Sequence, residues 1–228
     1  MASTRGPSTT RILHQYYRLM ASHFGPTLWW PGDSPFEIAV GAILTQNTAW
    51  TNVEQAIANL KRKKLLSPRS ILKCRTKELH AALKPSGYFR VKSDRLRSFC
   101  AHLVENYGGS MVRMAKRPLP ELRVELLTVH GIGPETADDI LLYACENPVF
   151  VVDAYTRRIF SRHGLVDPTI GYESLRAFFE TRLEADVALF KDYHGLIVWT
   201  GKDFCRKNPK CETCPLASTL PKEGPRLS

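Results

Sequence analysis

The sequence has no long apolar run; none approaches the roughly 20 residues that a membrane-spanning helix needs. Its first stretch, MASTRGPSTTR, lacks the apolar core of a secretory signal. Cysteine is sparse, with six residues in 228 and no scaffold-like spacing. Cys74, Cys100 and Cys145 stand alone in helical, partly apolar surroundings and read as reduced core residues. No convincing alternation of apolar and polar residues marks a strand, and no internal repeat is visible. These absences argue against a membrane-spanning helix, a disulfide-stapled secreted domain and a repeat array. They leave an all-α fold in a reducing compartment, expected to be cytoplasmic, and nucleoid-associated in a bacterium.

What is present is positive charge. The formal net charge is +10 and the pI about 9.4. A polyanionic partner fits that balance, although charge alone does not choose nucleic acid over an acidic membrane. The length supports one or two small domains with a real core.

The chain is organised around residues 126–160, LLTVHGIGPETADDILLYACENPVFVVDAYTRRIF. Leu119, Leu122, Leu126 and Val129 recur at helical spacing before Gly131. Gly131-Ile132-Gly133 is a tight hairpin, and Pro134 follows at a first-turn position where its missing N–H costs nothing. A second helix continues through Ala137, Ile140, Leu141 and Ala144. The glycines allow a tight turn and the close approach of another chain. Amides of the turn and of the new helix then point outward as a phosphate site, the alternative being an ordinary helical hairpin with a glycine turn. Asn147-Pro148 turns the chain, residues 149–152 are a buried run, and Asp153 stands where the next helix begins.

Elsewhere, residues 10–24 read as a helix with Leu13, Tyr17, Met20 and Phe24 on one face. Trp29 and Trp30 are adjacent in a loop bracketed by prolines, Pro31 among them. Adjacent residues cannot share one helix face, so either one indole lines a cleft or both plug a join between helices. Ser34-Pro35-Phe36-Glu37 predicts a capping box opening a helix with Phe36, Ala39, Val40 and Ile43 inward. That helix ends in Leu44-Thr45-Gln46-Asn47-Thr48, where polar amides can reach bases or Thr48 can cap the next helix, residues 49–61. Trp50 lies in that helix's first turn, off its Val53 stripe. Residues 61–64 form a basic run, read first as a solvated helix end. Short helices are predicted from Pro68 and Thr76, and a long one over 92–107. Further helices are predicted over 172–183 and 186–204. Cys205, Cys211 and Cys214 are the only clustered cysteines.

Five ordered segments, PFEIAVGAILTQNT, KPSGYF, HGIGPETADDILLYAC, VFVVDAYTRRIF and YHGLIVWTGKDFC, resemble the helix–hairpin–helix DNA glycosylases of the endonuclease III type. The resemblance implies two helical domains with DNA crossing the cleft between them. One domain is expected over residues 33–145 and the other over 1–32 plus 146–228. It implies that Asp153 is the catalytic carboxylate, stabilising a positive sugar or orienting water; its purely local alternative is a helix cap. Bifunctional members carry a lysine where Glu135 stands, and a carboxylate cannot form an imine. A monofunctional glycosylase is expected.

Within the family, Trp29-Trp30-Pro31, the LTQNT loop, the aromatic Trp50 and the hairpin glutamate resemble the 3-methyladenine DNA glycosylase III type. Trp50 departs from the phenylalanine of that group. The resemblance implies that Trp29, Trp30, Pro31, Trp50 and Glu135 line a base pocket. An alkylated, cationic purine would gain cation–π energy there and would cost less to extrude than a normal base. Gly131 and Gly133 would bind a backbone phosphate, with a monovalent cation at the hairpin, and Gln46 would fill the vacated space. Lys202, like Arg157 and Arg158, would contact phosphate. The partner implied is double-stranded DNA holding damaged bases, met by a monomer and with no membrane involved.

Many members bind a [4Fe–4S] cluster through four cysteines here, but the fourth position is Leu220. Cys205, Cys211 and Cys214 therefore leave open a cluster with another ligand, a zinc remnant or no metal. His194 reads as a satisfied buried histidine. Two rival functions stay in view: an endonuclease III-like lyase on oxidised pyrimidines or abasic sites, and a non-catalytic DNA-binding module.

Overall fold

Cap chemistry and apolar spacing decide where the helices start and which sides they bury. A computed structural model describes residues 8–27 and 29–226. The frayed start expected of the first residues and the place of Leu28 lie outside these. Among the described residues the structure is all-α, with no strand. The chain divides into two compact units: residues up to Trp29 with those from Pro148 onward, and Trp30–Asn147. The chain therefore changes unit at the bond between the two adjacent tryptophans.

The second unit holds α2 (Pro35–Leu44), α3 (Trp50–Arg62), α4 (Pro68–Lys73), α5 (Thr76–Leu83), α6 (Phe89–Tyr107), α7 (Met111–Met114), α8 (Leu119–Thr128) and α9 (Pro134–Asp139). Ser34 caps α2 by accepting from the Glu37 amide at 3.2 Å. The predicted box does not close. The Glu37 carboxylate accepts from the Asp33 amide instead, and pairs with Lys61 at 2.6 Å. Lys61 is thus an ion-pair partner, not a solvated end. Thr48 does not cap α3; Ala49 does, with no side-chain bond, and the Thr48 hydroxyl accepts from Asn52 at 3.2 Å.

A single amphipathic helix was expected after the hairpin. The structure instead has α9 followed by one wide π turn, Ile140–Ala144, closed by Cys145 N–H to Ile140 C=O at 3.0 Å. Every side chain of that turn is buried, so no polar face opposes an apolar stripe. α6 begins three residues before the predicted start, and Lys92 points into the interior.

The first unit holds α1 (Thr9–Phe24), α10 (Ala154–Arg162), α11 (Tyr172–Glu180) and α12 (Val187–Asp203). Its core is aromatic: Phe150 stacks on Phe179 at 4.2 Å and meets Phe190 edge-on. Val149, Phe150, Val151 and Val152 are fully or almost fully buried. The Phe150 amide is satisfied by the Glu180 carboxylate at 3.0 Å. That buried extended run fixes where Asp153 emerges.

Candidate active site

In the first unit, Asp153 is both a helix cap and a poised carboxylate. Its Oδ1 accepts from the Thr156 amide at 2.7 Å and from the Thr156 hydroxyl at 2.8 Å. The Thr156 hydroxyl in turn accepts from the Asp153 amide at 3.3 Å, which closes a reciprocal capping box. Oδ2 faces the buried His194 ring, with Nε2 at 3.9 Å. The Asp153 side chain keeps 11% exposure. Burial works to raise its pKa, but His194 and the Thr156 donors outweigh it and leave the carboxyl below its ordinary value. The side chain is therefore ionised, with a fixed rotamer. The sequence reading of His194 as a buried histidine agrees with its 3% exposure. The ring also stands beside Asp153; the only sequence signal was its place in the YHG segment ahead of the cysteines.

Trp29 belongs to the same unit. Its indole packs over Gly195, where an added Cβ would come within 2.7 Å of the Trp29 Cβ. It meets Trp199 edge-on at 6.2 Å, and Lys202 Nζ lies 5.5 Å from its ring centroid. Lys202, expected as a phosphate contact, thus also makes a cation–π contact. Arg158 is turned inward, donating to the carbonyls of Cys205 at 2.6 Å and Gly201 at 3.2 Å. That guanidinium holds the end of α12 and is not a free phosphate contact.

In the second unit, Trp30 stacks on Tyr143 at 4.8 Å and meets Trp50 edge-on at 5.5 Å. Gly41 makes room for both indoles: a Cβ there would lie 3.3 Å from Trp30 Nε1 and 3.4 Å from the Trp50 ring. Trp50 is oriented by its indole N–H, which donates to Glu54 at 3.0 Å. Trp30 holds a left-handed φ of 67°, unusual for a bulky residue. Tyr143 was missed from sequence because it lies in an apolar run. Pro31, next to Trp30 in the chain, is exposed, and so is Glu135 in the first turn of α9. Gly131 has φ of 84° and Gly133 caps α9 with φ of −89°. Gln46 does not project freely. Its Nε2 donates to the Gly131 carbonyl at 3.1 Å and to the Thr136 hydroxyl at 2.9 Å, and Arg95 donates to its Oε1.

One lysine has a depressed pKa. Burial and the neighbouring Arg95 charge lower Lys92 to about 8. Such an amine is the kind that forms Schiff bases, but this one is committed: it donates to the carbonyls of Leu44 at 2.9 Å and Ser86 at 2.6 Å, and is almost fully buried. It is a pin for the end of α2, not a nucleophile.

The cysteine loop does not fit a four-thiolate cage. Cys205, Cys211 and Cys214 line a cavity of about 20 Å³, room for about one water. Leu220 closes it, and among the described residues no three metal-ligating side chains converge on a common point. The centre is held instead by Arg162, which donates to Cys205 Sγ at 3.3 Å and to the carbonyls of Arg206 at 2.6 Å and Lys207 at 3.3 Å. No chemical step is drawn through this loop.

Residues 40–185 match the model of the HhH-GPD superfamily of base excision DNA repair proteins. A Methanocaldococcus jannaschii protein named "Putative DNA repair glycosylase" is 43% identical, covering 90% of this chain and 94% of that protein. Endonuclease III of Thermotoga maritima is 31% identical over 79% of each chain. Among solved structures, the Helicobacter pylori 3-methyladenine DNA glycosylase MagIII bound to 1,N6-ethenoadenine has a TM-score of 0.71 at 27% identity, covering 85% of this chain and 96% of that one. A non-covalent endonuclease III–DNA complex has a TM-score of 0.79 at 21% identity, covering 93% and 95%, which speaks to the fold.

Proposed function

Because the chain belongs to the HhH-GPD superfamily of base excision DNA repair proteins, and so is a DNA repair glycosylase whose partner is DNA, we propose that it hydrolyses the N-glycosidic bond of alkylated purines, 3-methyladenine foremost, and leaves the strand uncut. The observation that carries the reading is Asp153: a partly accessible carboxylate kept ionised and in one rotamer by Thr156 and His194. As the glycosidic bond breaks, positive charge grows on the sugar, and a fixed negative group stabilises that charge more than it stabilises the ground state. The same carboxylate orients the attacking water.

A cationic purine needs little acid assistance to leave. Trp30 and Trp50 offer indoles for stacking and cation–π contact; Trp29, in its own unit, packs on Gly195 and meets Trp199 edge-on. Pro31 follows Trp30 in the chain, and Glu135 supplies a negative charge that suits a positive base. Gly131 and Gly133 present the hairpin amides to a backbone phosphate, with a monovalent cation as an added ligand of the turn, and Lys202 adds positive charge. Glu135 also argues against the lyase reading that the Thermotoga maritima likeness brings with it, since no amine stands at its position. Cys205, Cys211 and Cys214 act as parts of a loop held by Arg162, with no cluster assigned.

The test is chromatography of bases freed from methylated duplex DNA. Wild type releases 3-methyladenine, and Asp153→Asn lowers the rate on the order of 10²–10³-fold while still binding duplex. Release of no base from any alkylated DNA by the wild type contradicts the reading.

A further inference from the structure

Arg95 lies where the hairpin meets the bend after α2, and the chemistry above gives it no task. Three observations meet there. First, the Gln46 side-chain amide is used at both ends: Nε2 on the Gly131 carbonyl at 3.1 Å and the Thr136 hydroxyl at 2.9 Å, Oε1 on the Arg95 guanidinium. Second, the Arg95 stem lies directly over the hairpin glycine; a Cβ on Gly131 would sit 2.1 Å from Arg95 Cγ. Third, α6 supplies a second cation one turn earlier, Lys92, which pins the Leu44 carbonyl at 2.9 Å. The two cations thus hold both ends of the 44–46 segment, and the next residue, Asn47, takes a left-handed φ of 54°. A primary amide fixed at both ends has one orientation. A bend held that tightly moves with whatever holds it.

We propose that Arg95 is a positioning residue that ties Gln46 to the hairpin, so that engagement of the hairpin by a backbone phosphate also sets the 45–48 bend against the space left by an extruded nucleotide. This rests on the reading that the bend faces such a space. The guanidinium matters for its geometry: a charge-assisted bond to Oε1 fixes which way the amide faces. Without it, Nε2 keeps its two acceptors, but Oε1 loses its charged donor and the amide is held at one end only. The phosphate contact and the gap contact then become independent events, and recognition of a missing base weakens relative to general DNA binding.

The test compares binding to an intact duplex with binding to the same duplex carrying a tetrahydrofuran abasic analogue, read by fluorescence anisotropy. Arg95→Met keeps the stem over Gly131 and removes only the guanidinium. Gln46→Ala removes the amide, and the double variant removes both. The preference for the abasic duplex should fall about tenfold in each single variant. It should fall no further in the double variant, because the two residues act as one unit. A role confined to folding would lower the melting midpoint and weaken both duplexes equally, leaving the ratio unchanged; that result overturns the proposal. So do losses that multiply in the double variant, or a wild type with no abasic preference. The alkyl-base reading stands or falls separately, on the bases released from methylated DNA.

Discussion

At the scale of single residues, the account turns on how Asp153 keeps its charge. Its folded pKa is depressed. The stability it lends is therefore present above its unfolded value, near the ordinary aspartate range, and is lost as pH falls through the lower folded value. Thr156→Val removes the hydroxyl bond to Oδ1 while leaving the amide bond. The acid limb of the pH–rate profile should move upward, and stability should fall by about 1 kcal/mol. An unmoved acid limb would mean that another group sets the protonation state. The carboxylate itself was legible in the sequence, since Asp153 stands at the junction of a buried run and a helix. His194 was legible only as a buried residue, because nothing in its own helix points to a partner in α10. Lys92 was hidden altogether: a lysine in an amphipathic helix reads as solvated, and only folding shows the two carbonyls waiting for it.

At the scale of elements, the two hairpin glycines separate into different roles. Gly131 needs its left-handed φ and the space under Arg95, whereas Gly133 has an ordinary φ and nothing within 4 Å of an added Cβ. Gly131→Ala should lower stability by about 1–3 kcal/mol, while Gly133→Ala should melt within about 0.5 kcal/mol of wild type. Thermal unfolding checks both, and equal melting of the two variants contradicts the assignment. The cysteine loop makes a second prediction. Because Arg162 supplies its internal bonds, chelation should leave base release unchanged and elemental analysis should find no stoichiometric iron or zinc. Arg162→Met should destabilise the loop by about 2–4 kcal/mol, since three acceptors lose their donor. Stoichiometric iron lost together with activity would reverse this. Helix positions came through in the sequence because caps and spacing are local. The π turn did not, because its cause is burial on all sides, and an incomplete capping box looks like a complete one until Glu37 is seen to choose Asp33 and Lys61.

At the scale of the whole molecule, charge and family agree on DNA. The excess of +10 suits a polyanion, and the HhH-GPD match spans residues 40–185 in both units. The sequence places the change of unit after residue 32, whereas it falls between Trp29 and Trp30, since two like residues side by side give no hint that each packs with different neighbours. The central claim is that the base leaves by hydrolysis at a carboxylate with no covalent enzyme–DNA link. Borohydride trapping, run on alkylated duplex under conditions where base release goes to completion, tests it most directly. The account predicts free base, an intact abasic strand and no protein–DNA adduct. A trapped adduct that survives denaturing electrophoresis would contradict it.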